Sequence, residues 1–326
     1  MTIIYLPVAD VKINDKFRIT SGDPPERLVQ SVGAVGVINP PWVRKTEDSS
    51  LINEKYEIIF GYSRFDAAVK AGYKSLCFTS TGSHISDKDI LLINIYDNLS
   101  QRDLNPVETA LCLSKSVEYL SEQKVITELM PALGMNPSRQ RLRQFTGILD
   151  LPRSIQKHVA EGNISQANAF YMQKMERREQ RAVFDLFKKL QTGVNLQKEF
   201  LENLFEISRR DRISINDLLE KPELDAILQD SRKKPHQKTH EFRLELRRLR
   251  YPNLAGMEED FDEFQKELSL PGGVQLKPPP FFEGEQYHLQ VNFKSVENLS
   301  ERLEKLSKAF SGDEILHRFS KFKISD

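Results

Sequence analysis

The long central stretch of the sequence, residues 105–251, constrains the fold most, because it contains no convincing strand pattern. Its apolar residues recur at spacings of three and four, which is typical of amphipathic helices. The preceding part alternates strand-like runs with helical stretches. The strand-like runs lie at 3–6, 41–44, 56–60 and 75–78, and the helical stretches at 25–35, 64–71 and 87–96. We therefore predict an α+β chain, with a small mixed α/β domain followed by an all-helical domain.

The C-terminal part of the sequence predicts a third unit. Strand patterns at 274–277 and 287–293 precede an amphipathic helix at 296–310, whose apolar side carries Leu299, Leu303, Leu306 and Phe310. Such a small ββα unit buries little apolar surface and often needs a partner to be stable. We therefore predict domains at 1–104, 105–255 and 256–326, with the last one holding a homodimer together.

The composition is that of an ordinary globular protein, with 29% charged and 39% hydrophobic residues. No apolar run approaches the roughly 18 residues that a membrane span needs, so we expect a cytoplasmic protein without a membrane partner. Cys77 and Cys112 stand in apolar surroundings without metal-ligand spacing, and we expect both to be buried, reduced thiols. The net charge is zero, yet residues 105–181 carry 11 Lys+Arg against 8 Asp+Glu, and residues 258–326 carry 9 against 14. A basic middle region suits contact with phosphate.

Two short segments of the first domain carry residues suited to a phosphate site. Gly61, Ser63 and Arg64 lie at a predicted strand-to-helix junction, where backbone N–H groups and a guanidinium can hold phosphate oxygens. Asp97 and Asn98 follow a predicted helix, and a carboxylate beside an amide can bind the magnesium ion that accompanies a triphosphate. Each segment also has an ordinary interpretation, as a plain turn with a surface arginine or as a helix cap.

Residues 125–149 show the pattern of a helix-turn-helix. The first helix ends at Gly134, Asn136 is placed to cap the second, and Pro137 falls at its first position. One side of the second helix is apolar and faces inward, with Leu142, Phe145, Ile148 and Leu149. The predicted DNA-binding residues, near its N-terminus, are Ser138, Arg139, Gln140, Arg141, Arg143 and Gln144. Arginine and glutamine side chains suit guanine and adenine edges in the major groove, although an ordinary helical hairpin with a solvated basic face is the alternative.

The order of these segments resembles the ParB family of nucleotide-gated DNA-binding proteins. Residues 36–43 are similar to the family's G-x-x-Q-P-x-x-V segment, residues 61–64 to its G-E-R-R phosphate box, and residues 97–106 to its E-N-x-x-R-x-x-L-N-P box. The resemblance implies a ParB/sulfiredoxin-like first domain that binds CTP with Mg²⁺, with Asn98 as a metal ligand and Asp97 supporting slow hydrolysis. The nucleotide-binding residues that it implies are Gly36, Gly61, Ser63, Arg64, Asn98 and Arg102.

The resemblance also implies a function, which is sequence-specific binding of double-stranded DNA in chromosome or plasmid partitioning or related regulation. A homodimer, a nucleoid-associated location and a partition ATPase as partner belong to the same expectation. The sequence departs from the family boxes at Asn39, Tyr62, Ser63, Asp97 and Gln101. Each lost charge-assisted hydrogen bond of about 1.5–3 kcal/mol predicts weaker nucleotide binding. A nuclease or phosphotransferase using the same site, and an interaction scaffold with an inactive pocket, are the alternatives.

Overall fold

The computed structural model describes residues 1–45, 56–81, 85–284 and 286–311. Contacts divide the chain into two compact units, Met1–Leu201 and Glu202–Asp326. This division is coarser than the three predicted domains, whose boundaries after residues 104 and 255 stay predictions. Residues 312–326 of the predicted third domain lie outside the described part of the chain.

A five-stranded mixed sheet is the centre of the N-terminal region. Its strands are β1 (Thr2–Pro7), β2 (Val11–Lys12), β3 (Trp42–Lys45), β4 (Tyr56–Phe60) and β5 (Ser75–Ser80). They lie in the order β1-β5-β3-β4-β2, with β1–β5 and β3–β4 antiparallel and β2–β4 and β3–β5 parallel. The helices of this region are α1 (Glu26–Val35), α2 (Tyr62–Lys70) and α3 (Asp87–Gln101). Ile58, Phe65 and Phe78 are fully buried, so strands and helices share one apolar core.

The four strands predicted in this region are confirmed, and β4 has the predicted bounds. Two residues are too few to show alternation, so the sequence pattern does not predict β2. Cys77 is exposed, which corrects the expectation that it is buried. The two-residue period of β5 places Leu76 and Phe78 inward and Cys77 outward, whereas Cys112 is buried as expected.

The third helix is longer than predicted. α3 extends to Gln101, so Asp97 and Asn98 lie in its last turns and are neither caps nor residues after its end. The Asn98 side-chain Nδ2 donates to the backbone oxygen of Asn94, one turn earlier, at 2.8 Å. This local hydrogen bond satisfies the amide within the helix, which is why a residue that favours turns is accommodated there.

The remainder of the first unit is helical, as predicted. Its helices are α4 (Pro106–Tyr119), α5 (Glu122–Lys124), α6 (Met130–Ala132), α7 (Arg139–Thr146), α8 (Arg153–Ala160), α9 (Gln166–Met172), α10 (Arg177–Leu190) and the first part of α11 (Val194–Asp211). Asn105 caps α4, because its Oδ1 accepts the backbone N–H groups of Val107 and Glu108. α4 packs against both α7 and α8 and is therefore the central helix of this module.

The helix before the predicted turn is irregular. Between α5 and α6, Val125–Leu129 forms a π-helical turn, in which the N–H of Met130 bonds the oxygen of Val125, five residues earlier. Pro131 follows at once; it has no N–H, and in a regular α-helix its ring clashes with the carbonyl four residues before it. The wider π turn accommodates the proline without ending the helix.

The second helix of the motif begins later than predicted. Ser138, not Asn136, is the N-cap of α7, and its Oγ accepts the N–H of Arg141 at 3.3 Å. Pro137 therefore lies before the cap rather than at the first helical position. Asn and Ser are both favoured N-cap residues, so local preference alone does not decide between them.

The second unit is helical and ends in a small ββα arrangement. After the end of α11 it contains α12 (Ile215–Leu219), α13 (Pro222–Gln229), α14 (Pro235–Arg250), α15 (Pro252–Glu267), β6 (Val274–Lys277), β7 (His288–Val291) and α16 (Val296–Ala309). β6 and β7 pair antiparallel, and a core of Phe261, Phe264, Leu268, Leu276 and Phe282 packs beside them. The predicted C-terminal strands and helix are confirmed, and the chain is of the α+β class. Among the described helices, none combines the length and the apolar character that crossing a bilayer requires.

Candidate functional site

A cavity of about 440 Å³ lies where α2, α3 and α4 begin or end next to the loop at residues 19–25. Its volume is in the range of small-molecule sites in proteins. Six predicted residues line it together: Gly61, Ser63, Arg64, Asp97, Asn98 and Arg102. Gly36, at the end of α1, is not among the lining residues. The structure thus brings both predicted phosphate segments to one place.

Gly61 forms the turn that leads from β4 into α2. Its φ of +83° is in the left-handed region, and a Cβ there would lie 3.1 Å from Pro41 Cα and 3.2 Å from Arg64 Nη2. Glycine is therefore required both by backbone conformation and by space. The turn leaves the first N–H groups of α2 at the cavity, where an anion is favoured.

Arg64 lies one turn into α2 and is half-buried. Its Nη1 donates to the backbone oxygen of Asn39 at 3.0 Å, and its guanidinium lies 4.9 Å from the centre of the Phe60 ring. Burial lowers the pKa of Arg64, and the nearby charge of Asp97 opposes that shift. Arg64 is thus a positioned cation at the cavity wall, held by one backbone bond and one ring.

Tyr62 occupies the family's glutamate position in the phosphate box, but its hydroxyl does not serve the cavity. It lies within hydrogen-bond distance of two backbone oxygens, those of Asn14 at 2.9 Å and Ile58 at 3.0 Å. Burial raises the pKa of Tyr62, so it stays neutral at ordinary pH. The substitution turns a phosphate-box position into a core position.

Arg102 is held by a carboxylate from α4. Its Nη1 and Nη2 donate to Glu108 at 2.6 and 3.0 Å, and Nη2 also donates to Asn98 Oδ1 at 3.2 Å. Glu108 is buried and accepts two further hydrogen bonds, from the backbone N–H groups of Ser21 and Asn105, each at 3.2 Å. These bonds to Glu108 raise the pKa of Arg102. Arg102 therefore links α3 to α4, and Glu108 links them to the loop that contains Ser21.

Sequence analysis missed Glu108, Asn105 and Ser21 as parts of this site. A signal for the first two was present, since an asparagine three residues before a glutamate is the pattern of a capping box, and α4 begins with one. Ser21 is 87 residues from Glu108 along the chain, and no local pattern connects the two.

The charged side chains that line the cavity are mainly acidic. Four carboxylates, Asp23, Asp66, Asp97 and Glu108, accompany two arginines, Arg64 and Arg102. Asp66 is itself bound by Arg18 through two hydrogen bonds of 2.9 and 3.2 Å. A polyphosphate in this cavity therefore needs a cation to offset the repulsion.

The predicted metal ligands fit a magnesium ion only together with a ligand's phosphates. Asp97 and Asn98 supply oxygen atoms, and Mg²⁺ in nucleotide sites takes one or two carboxylates while phosphates and water complete the octahedron. In the part of the chain that the structure describes, no group of three or more His, Cys, Asp or Glu side chains is arranged so that it could hold a metal ion by itself. Asn98 Oδ1 is bonded to Arg102, so coordination by Asn98 requires that this bond be exchanged.

The second candidate surface is the outer side of α7. Its predicted DNA-binding side chains Arg139, Gln140, Arg141 and Arg143 are exposed, while Ser138 and Gln144 are half-buried. The inward prediction is confirmed for Leu142, Phe145 and Ile148, which are buried, whereas Leu149 is only half-buried. α7 is thus an amphipathic helix with its basic and amide side chains directed away from the module's core.

A groove of about 540 Å³ runs beside α7. It is lined by Arg139, Gln140, Arg143, Gln144, Phe170, Gln173 and Lys174. Phe170 packs edge-on against Phe145 at 5.4 Å, and Gln173 Nε2 donates to the backbone oxygen of Gln144 at 2.8 Å. Sequence analysis did not assign Phe170 and Gln173, since nothing in the spacing of α9 indicates that it lies beside α7.

No protein-family model matches the chain. A nucleoid occlusion protein from Bacillus cereus is 29% identical over 146 residues, which are 44% of this chain and 46% of that protein. A probable chromosome-partitioning protein ParB from Chlamydia pneumoniae is 26% identical over 172 residues, which are 52% of this chain and 57% of that protein. The chain spans about half the length of these curated relatives that it matches.

One solved structure is a C-terminally truncated chromosome-partitioning protein ParB from Caulobacter crescentus in complex with CTP-gamma-S. It is 25% identical, with 54% of this chain and 94% of that chain covered, at a TM-score of 0.27.

Proposed function

We propose that the chain is a member of the ParB family and a sequence-specific DNA-binding protein acting in chromosome or plasmid partitioning or in related regulation. The observation that carries the proposal is the outer face of α7. Arg139, Gln140, Arg141 and Arg143 are exposed there on a helix whose opposite side is buried. Recognition helices of this motif enter the major groove with their N-terminal turns, where arginine pairs with guanine and glutamine with adenine.

The proposed ligand of the cavity is CTP with Mg²⁺. The Gly61 turn and Arg64 would hold phosphate oxygens, and Asp97 and Asn98 would hold the metal ion, which offsets phosphate charge when it is bound. The identity of the base follows from the family resemblance alone. Asp97 is the proposed residue for slow hydrolysis, because its carboxylate is the group at the family's glutamate position. We expect weaker nucleotide binding than in a protein with two arginines in the phosphate box, because this chain has only Arg64 there.

The proposed assembly is a homodimer held by the C-terminal ββα unit. Apolar side chains on its surface are exposed, with Leu289 at 44%, Phe293 at 54%, Val296 at 71% and Leu303 at 51%. They stand in and around β7 and α16; β7 is exposed except for half-buried Val291, whereas α16 buries Leu306 and is followed by Phe310, which packs on the core of this unit. A second copy covering them would bury apolar area that a small unit otherwise leaves in water. A partition ATPase as a further partner, and a nucleoid-associated location, rest on the family resemblance.

A selection experiment tests the DNA proposal directly. The purified chain is mixed with a random pool of duplexes, bound DNA is recovered and sequenced over several rounds, and the enriched duplex is compared with a shuffled one by fluorescence anisotropy. We expect an enriched, two-fold-related sequence and stronger binding to it than to the shuffled duplex at moderate salt. Equal binding to both duplexes would reject sequence-specific recognition.

Calorimetry and mass measurement test the other two parts. Titration of CTP, and separately of ATP, GTP and UTP, with Mg²⁺ and with or without the enriched duplex, identifies the ligand. Light scattering of the wild-type chain and of the Leu303→Glu variant tests the dimer. The glutamates introduced into the interface should dissociate it into monomers.

The nuclease and phosphotransferase alternatives find no support in the described residues. Intact plasmid after incubation with Mg²⁺ is the expected result.

A further inference from the structure

The first residue of the recognition helix is tied to the helix before the turn. Arg139 Nε lies 2.5 Å from Oε1 of Glu122, the first residue of α5. The side chains are 64% and 42% exposed, so the ion pair lies at the surface. Ser121 caps α5, with its Oγ accepting the N–H of Lys124 at 3.3 Å, and this cap fixes where Glu122 stands. The pair thus spans the two helices of the motif.

The contact is made through the inner nitrogen of the guanidinium. An arginine carries one N–H on Nε and four on its two Nη atoms, all in one plane. Oε1 of Glu122 makes no hydrogen bond with Arg139, so the pair acts through charge and proximity and leaves the Nη atoms as a pair of donors. Two such donors match O6 and N7 of guanine in the major groove. Arg139 can contact a base edge in this way without giving up Glu122.

The Glu122–Arg139 pair also weakens DNA binding that depends on phosphate contacts only. Binding to DNA without a matching sequence depends almost entirely on Lys and Arg charge that replaces counterions on the phosphates. Glu122 offsets the charge of Arg139 and places a carboxylate beside the surface that phosphates approach. The penalty falls on the non-specific complex, and penalising the wrong complex is one way in which a protein gains specificity.

We propose that Glu122 is a specificity-determining residue, which offsets the charge of Arg139 and thereby lowers the affinity for DNA that lacks the matching sequence. This inference rests on the proposed function. Glu122 acts through the charge of Arg139. Its removal is expected to change the ratio of specific to non-specific binding rather than DNA binding as a whole.

Glu122→Gln tests the inference, because it removes the charge and keeps the size. The probes are the duplex enriched by the wild-type chain and its shuffled version, each titrated over a series of salt concentrations. Affinity for the shuffled duplex should rise about two- to fivefold, the size of an exposed ion pair. For the shuffled duplex, the slope of log affinity against log salt concentration should become steeper by about 0.9, because one more arginine then binds phosphate. Affinity for the enriched duplex should not rise, so the ratio falls.

Glu128→Gln is the matched control, since it removes the same charge from an exposed position of the same helical run. It should leave both the ratio and the salt dependence unchanged. In an Arg139→Ala background, Glu122→Gln should have no effect on the ratio. Thermal unfolding of each variant verifies that it is folded.

Four results separate the possibilities. Equal effects of the two glutamine variants would overturn the inference, because net charge would then explain them, as would an effect that persists in the Arg139→Ala background. Failure of the wild-type chain to enrich any sequence would reject the proposed function itself. Enrichment by the wild type with an unchanged ratio in Glu122→Gln would reject only the role of Glu122.

Discussion

The cavity and the outer face of α7 both contain arginines, but the two regions use them differently. At the cavity, Arg102 donates two hydrogen bonds to the Glu108 carboxylate, and Arg18 donates two to the Asp66 carboxylate. On α7, Arg141 and Arg143 are exposed to solvent. The first region pairs its charges within the protein, whereas the second leaves these charges exposed to solvent.

The difference shows that an arginine in a sequence motif is not necessarily available to bind a ligand. Its role depends on whether a carboxylate from another element reaches it first. Glu108 lies six residues after Arg102, and Asp66 lies 48 residues after Arg18, so one such partner is local in sequence and the other is not. Of the arginines that line the cavity, Arg64 is the one held by a backbone oxygen and a ring rather than by a carboxylate.

The largest expected effect is on stability, from Glu108→Ala. The substitution removes a buried carboxylate with four hydrogen bonds and leaves Arg102 and two backbone N–H groups without it, so the free energy of unfolding should fall by about 3 kcal/mol. Urea denaturation measures the change. Glu118→Ala, at an exposed position of the same helix, should alter stability by less than about 0.5 kcal/mol. Similar losses for the two variants would contradict the structural role of Glu108.

Arg141→Ala should leave stability unchanged and weaken DNA binding. Loss of an arginine that contacts a base costs about 1–3 kcal/mol and relaxes specificity at that base. Anisotropy with the enriched duplex measures the loss, and calorimetry should show unchanged nucleotide binding. Arg181→Ala removes the same charge from an exposed position of α10 and serves as the control. A loss of affinity no larger than that of the control would show that α7 does not read the DNA.

Arg64→Ala should give the opposite pattern, with DNA binding kept and nucleotide binding reduced. Removing one charge-assisted contact to phosphate should weaken binding of Mg²⁺-CTP by about 1.5 kcal/mol, or roughly tenfold. Isothermal calorimetry measures it, with Arg27→Ala, at an exposed position of α1 outside the cavity, as the control. If Arg64→Ala binds the nucleotide as well as the wild type does, the cavity is not the nucleotide site.

The smallest effect is a pH dependence at Asp87, which is paired with Lys16 and Arg44 away from the cavity. Burial raises the pKa of Asp87, but hydrogen bonds from Lys16 and Arg44 outweigh burial and leave the pKa below its ordinary value. A carboxyl whose pKa is lower in the folded state adds stability above about pH 4 and loses that contribution as the pH falls through the folded-state value. Asp87→Asn should therefore reduce the difference in unfolding free energy between pH 6 and acid. An unchanged difference would mean that Asp87 is not part of the acid response.

Features with a local cause were predictable from the sequence. The short apolar run of β4 and the apolar stripe of α16 are each patterns within consecutive residues, and both elements were confirmed. The start of α7 was not predictable, because Asn136 and Ser138 have similar cap preferences and packing chooses between them. The exposure of Cys77 follows from its place in β5, where composition alone suggested burial.

The candidate site divides in the same way. Gly61, Arg64 and Asp97 belong to motifs, and the structure brings them to one cavity. The pairing of Arg102 with Glu108 depends on how α3 meets α4, and the bond from Ser21 depends on a loop far away in the chain. Motifs therefore indicate which residues gather, and the contacts between elements decide which of them are available to a ligand.

The π turn at Val125–Leu129 affects the direction of α7. A π turn is an α-helix with one residue inserted, and each helical residue corresponds to a rotation of about 100°. Deleting a single residue there, so as to restore a regular helix, would swing the chain that follows through that angle. Such a deletion would also bring Pro131 into conflict with the carbonyl before it. The inserted residue therefore sets the direction of α7 through the backbone before it, without touching any residue of α7 itself.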